Sequence, residues 1–199
     1  MSIITKYDRI SYVYDIMEST IEHLMFGKWR QMILSDLSGC VLDFGVGTGK
    51  NLKYYASSCS VVGIDISSKM LDHAKKRAKD MNNVSLLVMD GEHLAFDDNS
   101  FDYVVTTFVL CSVPDPITAL KEMKRVCKPE GIIMNLEHMR SKHVILSIIE
   151  DIFNPLTFGA MGVNINRRTV ENIKKAGLNI IDEQNLAIKD VFRLIKSKP

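Results

Sequence analysis

Five short apolar segments alternate with longer amphipathic segments between residues 40 and 137. The apolar segments are CVLDF (40–44), SVVGIDI (60–66), VSLLVMD (84–90), FDYVVTTFV (101–109) and GIIMNLE (131–137). This alternation is typical of right-handed βαβ crossovers, which place parallel strands in one sheet. The strands are apolar almost throughout, which indicates that helices cover both faces of the sheet. The sequence therefore predicts an α/β fold with a doubly wound, mostly parallel sheet.

Two further strands are predicted near the end of the chain. The segments LNIIDEQNL (178–186) and IKDVFRLI (188–195) follow a helix, RRTVENIKKAG, whose final glycine is a common helix terminator. We expect these strands to form an antiparallel pair that closes one edge of the sheet, which brings the total to seven strands.

The chain has the size and apolar content of a single domain. It contains 199 residues, of which 46% are hydrophobic, so we expect one domain over residues 1–199. Two segments lie outside the alternation: an N-terminal helical cap at 5–37 and an insertion at 141–166. Ligands of such sheets bind beyond the carboxyl ends of the strands, so both segments are candidate lids. The alternative for 5–37 is ordinary packing against the sheet, whereas Pro155, Gly159 and Gly162 are expected to break the helical pattern of the insertion.

Charge and composition exclude several classes of partner. The 25 basic residues nearly balance the 24 acidic ones, so no global field would attract nucleic acid or an acidic membrane, and any such partner must bind a local patch. The start of the chain lacks the apolar core of a signal peptide, and no stretch was expected to be long and apolar enough to span a bilayer. The four cysteines and five histidines show no zinc-binding spacing, so no metal site is expected. These features predict a cytoplasmic protein.

A glycine-rich turn follows the first strand in VLDFGVGTGK (41–50). Its glycines, Gly45, Gly47 and Gly49, follow the pattern G-x-G-x-G, whereas the dinucleotide fingerprint is G-x-G-x-x-G. Asp43 lies two residues before the first glycine, where a carboxylate would repel a pyrophosphate. A ligand with a cationic amino-acid end has no such conflict.

Two more acids follow neighbouring strands at the same edge of the sheet. Asp65 ends the second strand and suits the ribose hydroxyls of an adenosine ligand. Asp90 ends the third strand and could accept a hydrogen bond from an exocyclic amine. Each acid alone could be an ordinary turn or helix-cap aspartate. Together with the glycine turn, the three acids predict one ligand-binding crevice.

The ordered set of these motifs resembles the class I S-adenosylmethionine-dependent methyltransferases, which have a Rossmann-like fold. The segments that carry the resemblance are DFGVGTG (43–49), GIDIS (63–67), MDGE (89–92), FDYVV (101–105) and VCKPEG (126–131). The resemblance implies S-adenosylmethionine as cofactor and S-adenosylhomocysteine as product. It assigns the methionine portion to Asp43 and the glycines, the ribose to Asp65 and the adenine edge to Asp90. It further places Ile66, Met70, Gly91 and Thr107 in the cofactor site.

Other segments resemble particular branches of this family. YDRISYVYD (7–15) is similar to the ubiquinone and menaquinone-biosynthesis methyltransferases. LCSVPDP (110–116), the Glu137–His138 pair and NINRRT (164–169) are similar to soluble bacterial phosphatidylethanolamine N-methyltransferases, and alkyl-thiol S-methyltransferases share the first two features. These resemblances imply that Tyr7 and Tyr14 lie over the cofactor, Tyr7 near its carboxylate and Tyr14 among the catalytic residues. The alternative for both, and equally for Tyr14, is packing of an amphipathic helix.

The residues that would act on the methyl acceptor follow later strands. An acceptor must present a free lone pair, and His138 with the adjacent Glu137 is the candidate for removing its proton, although a histidine there can equally be structural. Arg167 and Arg168 precede a helix and could bind a phosphate or carboxylate, or form a solvated helix start. Cys111 follows a strand end and is a further candidate substrate contact. The apolar insertion could form an acyl-chain cleft, a peripheral membrane-facing surface at the inner membrane face, or an ordinary lid.

The sequence thus predicts a methyltransferase acting on a small or lipid-borne nucleophile. Phosphatidylethanolamine is the favoured acceptor, with a thiol or a quinone ring as rivals. A non-catalytic adenosylmethionine sensor and an NAD-binding domain are the alternatives of a different class.

Overall fold

The elements of the fold are given by a computed structural model that describes residues 25–199. The strands are β1 (Gly39–Phe44), β2 (Cys59–Asp65), β3 (Val84–Val88), β4 (Phe101–Thr107), β5 (Cys127–His138), β6 (Asn179–Ala187) and β7 (Phe192–Lys198). The helices are α1 (Gly27–Leu34), α2 (Ser68–Arg77), α3 (Pro116–Val126), α4 (Val144–Met161) and α5 (Thr169–Lys175), with a short 3₁₀ turn at Leu52–Tyr54.

The strands form one sheet in the order β3-β2-β1-β4-β5-β7-β6. All neighbouring strands are parallel except that β7 runs antiparallel to both β5 and β6. The predicted fold class and the antiparallel final pair are confirmed. β7 begins at Phe192, four residues later than predicted, because Ile188 and Lys189 adopt left-handed conformations (φ of 47° and 59°) in the turn between β6 and β7.

Helices cover both faces of the sheet. Val104 and Val105 of β4 belong to two different clusters of buried apolar side chains, because successive side chains of a strand point to opposite faces. One cluster includes residues of α3 and α5, and the other includes residues of α1 and α2. This packing explains why the strand sequences are apolar almost throughout.

The direction of the chain through the sheet reverses beside β1. From β1 the chain continues to β2 and β3 on one side and then crosses to β4 and β5 on the other. Phe44 at the end of β1 is in register with Ile64 of β2 and Thr106 of β4. The residues that follow these three strands therefore meet at one edge, where ligands of doubly wound sheets bind.

The insertion contains one long helix. α4 continues through Pro155 and Gly159, so the expectation that these residues break it is wrong, and only Gly162, with φ of +77°, terminates the helix. A proline removes one backbone hydrogen bond, which this exposed helix loses without ending. Contrary to expectation, α4 also has the length and composition of a membrane-spanning helix. Within the predicted N-terminal cap, α1 is observed, and the part before residue 25 lies outside the described residues.

Candidate functional site

An open cavity of about 150 Å³ lies at the carboxyl edge of the sheet, beside the reversal point. The structure brings together there eight residues predicted to bind a cofactor: Gly45, Gly47, Asp65, Ile66, Met70, Asp90, Gly91 and Thr107. Gly49 and Asp43 do not line the cavity. Strand register explains the convergence, because all of these residues except Met70, which lies in the first turn of α2, are at or just after the end of a parallel strand.

The glycine turn forms one wall and requires glycine for two reasons. Gly45, Gly47 and Gly49 all have positive φ, of 71°, 55° and 85°. At Gly45 a Cβ atom would also lie only 2.5 Å from Cγ1 of Val109, so a side chain there would collide with the segment after β4. The turn can therefore follow β1 closely only when this residue is glycine.

Backbone amides fix the orientation of Asp65. Its Oδ2 accepts a hydrogen bond from the amide of Gly47 at 2.9 Å, and its Oδ1 accepts one from the amide of Ser67 at 2.8 Å. The Ser67 hydroxyl caps α2 by accepting from the amide of Met70 at 3.2 Å, which sets the first turn of this helix beside the cavity. The acid, the glycine turn and Met70 are thus held as one unit.

An apolar slot separates Asp65 from Asp90. It is lined by Ile66, Met70 and Met89. The Oδ1 atom of Asp90 accepts a hydrogen bond from the amide of Glu92 at 2.9 Å. The arrangement of an acid at each end of an apolar slot has the chemistry required for an adenosine moiety, with ribose hydroxyls at one acid and an exocyclic amine at the other.

Asp43 is placed differently from the other two acids, and the expectation that all three face the crevice is wrong for it. Its side chain is completely buried, and both carboxylate oxygens accept from Nδ2 of Asn51, at 2.9 and 3.1 Å. Burial raises the pKa of Asp43 to about 6, although Asn51 and Arg30 oppose this shift. Asp43 therefore lies beneath the cavity rather than in its lining.

Arg30 connects this buried acid to the cavity. Its Nη1 donates to Oδ1 of Asn51 at 2.5 Å and to Oγ1 of Thr107 at 2.6 Å, and the residue lines the cavity. Sequence reasoning missed both Arg30 and Asn51. The position of Asn51, directly after the glycine-rich segment, could have indicated a role in the site. Nothing in the sequence indicates that Arg30 of α1, 77 positions before Thr107, reaches it.

The turn after β4 is strained and braced by Glu137. Phe108 has φ of +61°, which is unusual for a bulky residue, and its amide donates to the carbonyl of Leu136 at 2.9 Å. The buried Glu137 accepts from the amides of Val109 and Leu110 at 3.1 and 3.3 Å. Burial raises the pKa of Glu137 to about 7. Glu137 thus holds the backbone of the cavity wall and is not itself a lining residue.

His138 lies behind this wall. Its Nε2 is 3.0 Å from the carbonyl oxygen of Ile165, and because a carbonyl can only accept, Nε2 carries a proton in this contact. Burial lowers the pKa of His138, so the ring is neutral at pH 7 with a lone pair on Nδ1. His138 is not among the residues that line the cavity.

The predicted acceptor-binding residues are separated from one another. Nη2 of Arg167 donates to the carbonyls of Cys111 and Val113, at 3.3 and 2.9 Å, while the exposed Arg168 forms an ion pair of 3.4 Å with Glu171. Burial raises the pKa of the Cys111 thiol, which keeps it protonated. α5 begins at Thr169, after both arginines, and the structure does not place them together as a phosphate clamp. Tyr7 and Tyr14 lie outside the described residues.

The residues present fit S-adenosylmethionine. The acids at 65 and 90 with the apolar slot between them match its adenosine portion. At the other end, Arg30 and the buried Asp43 form a pair of opposite charges beside the glycine turn, which matches a zwitterionic amino acid. The cavity therefore contains complementary groups for both ends of this molecule.

Comparison with known proteins agrees with this chemistry. Residues 42–135 match a family model described as a methyltransferase domain. The chain is 39% identical over 141 residues to a demethylmenaquinone methyltransferase of Staphylococcus haemolyticus, a match that covers 67% of this chain and 59% of the relative. A demethylmenaquinone methyltransferase of Staphylococcus aureus is 40% identical over 139 residues, covering 66% and 58%. The chain thus spans less than two thirds of the length of these relatives.

Solved structures share the fold at lower identity. An S-adenosylmethionine-dependent methyltransferase from Thermotoga maritima aligns with a TM-score of 0.73 and 20% identity, covering 98% of each chain. A geranyl diphosphate C-methyltransferase from Streptomyces coelicolor, solved with S-adenosyl-L-homocysteine, aligns with a TM-score of 0.65 and 14% identity, covering 84% of this chain and 77% of the other.

Proposed function

This chain belongs to the class I S-adenosylmethionine-dependent methyltransferases, and from that premise we propose that it methylates a ring carbon of a lipid-soluble quinol related to demethylmenaquinone. The observation that carries this proposal is the chemistry of the cavity wall after β4. This segment contributes Thr107, Phe108, Val109, Ser112, Val113 and Pro114 to the lining, and none of them is ionisable. A neutral apolar acceptor suits such a wall better than a charged headgroup, because burying an unpaired charge is costly.

The names of the relatives support the same acceptor. Two relatives at 39% and 40% identity are demethylmenaquinone methyltransferases. Phosphatidylethanolamine, favoured by the sequence motifs, lacks support from the positions of Arg167 and Arg168. Arg167 donates to backbone carbonyls and Arg168 pairs with Glu171, so neither is arranged to receive a lipid phosphate.

Each part of the site has a role in the proposed reaction. When bound, S-adenosylmethionine supplies a methyl group on a sulfonium sulfur. We propose that Asp65 binds its ribose, Asp90 its adenine edge and Arg30 its carboxylate. Asn51 donates to both carboxylate oxygens of Asp43. Asp43 would therefore attract the ammonium group of the cofactor through its charge and not through a direct hydrogen bond.

The acceptor needs a group that takes a proton. A quinol ring becomes a better carbon nucleophile when its hydroxyl is deprotonated, and the replaced ring proton must also be released. His138, the candidate from the sequence, does not line the cavity, so we propose that solvent takes these protons. Glu137 acts as a positioning residue for the turn at Phe108. The insertion at 141–166, which the sequence predicts as a lid, contributes no residue to the lining of the cavity in the described part of the chain, so we assign it no role in the reaction.

Acceptor competition tests this proposal. The full chain is incubated with labelled S-adenosylmethionine and, in parallel, with reduced demethylmenaquinone, phosphatidylethanolamine and an alkyl thiol. We expect labelled methyl on the quinol ring, identified by mass spectrometry. Label found on phosphatidylethanolamine or the thiol, with none on the quinol, would overturn the assignment.

Two variants sharpen the result. Val113→Asp places a charge in the uncharged wall and should lower quinol methylation by about tenfold or more, with cofactor affinity within about twofold of the parent. Arg168→Ala is the matched control, because Arg168 is exposed and outside the cavity lining. Quinol methylation by Arg168→Ala should equal that of the parent, and a selective loss of phospholipid methylation in this variant would instead support a phosphate contact.

A further inference from the structure

α4 has its apolar residues on the outside and its polar residues on the inside. Seven exposed large side chains follow one side of the helix, and we call them the outer face of α4: Val144, Ile145, Ile148, Ile149, Ile152, Phe153 and Leu156. Ile145 is 75% exposed, and Ile152 and Leu156 are each 67% exposed. Ser147 and Glu150 are buried against the domain. A helix that packs on a protein in water normally has the opposite arrangement.

Specific hydrogen bonds hold the helix in this orientation. Oε2 of Glu150 accepts from the amide of Ser141 at 2.9 Å, and Oγ1 of Thr157 donates to the carbonyl of Val163 at 3.1 Å. Asp151, beside the polar stripe, pairs with Nη2 of Arg140 at 2.7 Å. Because these contacts lie on the inward side of the helix and at its flanks, they fix the apolar residues outward.

Both ends of α4 are attached to the same edge of the domain. Before the helix, the hydroxyl of Ser141 and the amide of Lys142 donate to the carboxylate of Asp190, in the turn between β6 and β7. After the helix, the amide of Asn164 donates to the carbonyl of Cys111 at 2.9 Å. The 18 residues of α4, with a mean hydropathy of 1.4, would suffice to cross a bilayer. The attachments instead keep the helix, about 27 Å long, lying along the surface.

We propose that the outer face of α4 is a lipid-docking surface that lies in the interfacial layer of an anionic membrane. Its seven members are all apolar, as required for contact with acyl chains. The single exposed acid of the helix, Asp151, is neutralised by Arg140. Lys189 is exposed in the β6–β7 turn, close to the start of the helix, and places positive charge at the border of the face, as anionic headgroups require. Lys142 is also exposed but forms an ion pair of 2.9 Å with Glu183.

The position of the helix connects the membrane to the cavity. The segment that follows α4 contacts the loop at 111–113, through Asn164 on Cys111 and Arg167 on Val113. Ser112 and Val113 of that loop line the cofactor cavity. The docking surface is therefore linked through this segment to the loop that forms one wall of the cavity. This inference rests on the proposed function and extends it, because it names the membrane as the source of the acceptor. Docking itself requires neither acceptor nor cofactor.

Vesicle sedimentation of the full chain tests the proposal. Vesicles of phosphatidylcholine and phosphatidylglycerol should bind the protein, and the double variant Ile145→Glu with Ile152→Glu should reduce the partition coefficient by roughly tenfold or more. Glutamate is a good helix former, so α4 should persist, which circular dichroism and cofactor affinity would verify. Lys189→Gln should lower binding to the anionic vesicles by about fivefold and leave binding to pure phosphatidylcholine unchanged.

The matched control is Ile181→Glu. Ile181 is also an exposed isoleucine, but it lies on β6 and not on α4, and this variant should sediment like the parent. Equal vesicle binding by the double variant and the parent, or no binding by the parent, would overturn the proposal. A dimer in lipid-free sedimentation that Ile145→Glu with Ile152→Glu converts to monomers would assign the face to a second copy of the chain and also overturn it.

Activity on a short-chain, water-soluble quinol separates this inference from the proposed function. The double variant should methylate this quinol at the parental rate while losing methylation of the long-chain quinol in vesicles. If the parent binds vesicles but methylates neither quinol, the acceptor assignment fails and the docking surface stands.

Discussion

Asp43 illustrates how burial changes the role of a single residue. Its position before the glycine turn is evident in the sequence, but its carboxylate lies beneath the cavity and is bonded by Asn51. The acid therefore acts on a ligand through its charge and through the chain of contacts to Arg30. Because burial raises its pKa to about 6, that charge is present only above this pH.

Substitution of Asp43 by asparagine should weaken cofactor binding. Loss of the buried negative charge is expected to reduce affinity at pH 7.5 by about 1.5–3 kcal/mol, the range for a hydrogen bond to a charged group. For the parent, affinity should rise from pH 5 to pH 7 as Asp43 ionises, whereas Asp43→Asn should show a flatter profile. Isothermal titration calorimetry with S-adenosylhomocysteine measures both quantities.

A surface acid provides the control for this prediction. Asp102, on β4, pairs with Lys128, whose hydrogen bond lowers the pKa of Asp102. Asp102→Asn should leave cofactor affinity and its pH profile unchanged. Identical profiles for the parent and Asp43→Asn would show that the buried acid does not contribute to binding.

At the scale of an element, the glycine turn depends on close approach as well as on backbone conformation. Gly45 and Gly47 both have positive φ, but an added Cβ would lie 2.5 Å from Val109 at the first position and 3.9 Å from the nearest atom at the second. The two glycines are therefore constrained to different degrees.

Alanine at these two positions should separate the two constraints. Gly47→Ala should lower the free energy of unfolding by about 1–2 kcal/mol, the cost of a left-handed conformation. Gly45→Ala should cost about 1–3 kcal/mol more, because the methyl group overpacks against Val109. Urea denaturation of the parent and both variants provides the comparison. Equal losses of stability would mean that Val109 moves away without cost.

For the whole molecule, cofactor binding should stabilise the fold. A ligand that binds only the folded state at one hundred times its dissociation constant adds about 2.7 kcal/mol. For a chain of this size, that corresponds to a rise in Tm of roughly 5–10 °C. Differential scanning calorimetry should detect this rise with S-adenosylhomocysteine and no rise with NAD. A rise with NAD alone would contradict the fit of the cavity.

The sequence alone determined the α/β class, the seven strands and the strand-end acids at 65 and 90. These features are local, because apolar periodicity sets the elements and the carboxyl ends of parallel strands must share one edge. The glycine turn was identifiable for the same reason, since its spacing lies within one short segment.

Only the tertiary structure decided which side chains reach the cavity and which surface remains apolar. Arg30 enters the site from a helix far away in the chain, Asp43 is covered by Asn51, and β7 inserts between β5 and β6. The orientation of α4, with apolar residues outside and polar residues inside, could not be predicted from the sequence. An amphipathic pattern shows that a helix has two different faces, but it does not show which face meets the domain. That choice depends on partners such as Ser141, Val163 and Arg140, which become neighbours of the polar stripe only when the chain has folded.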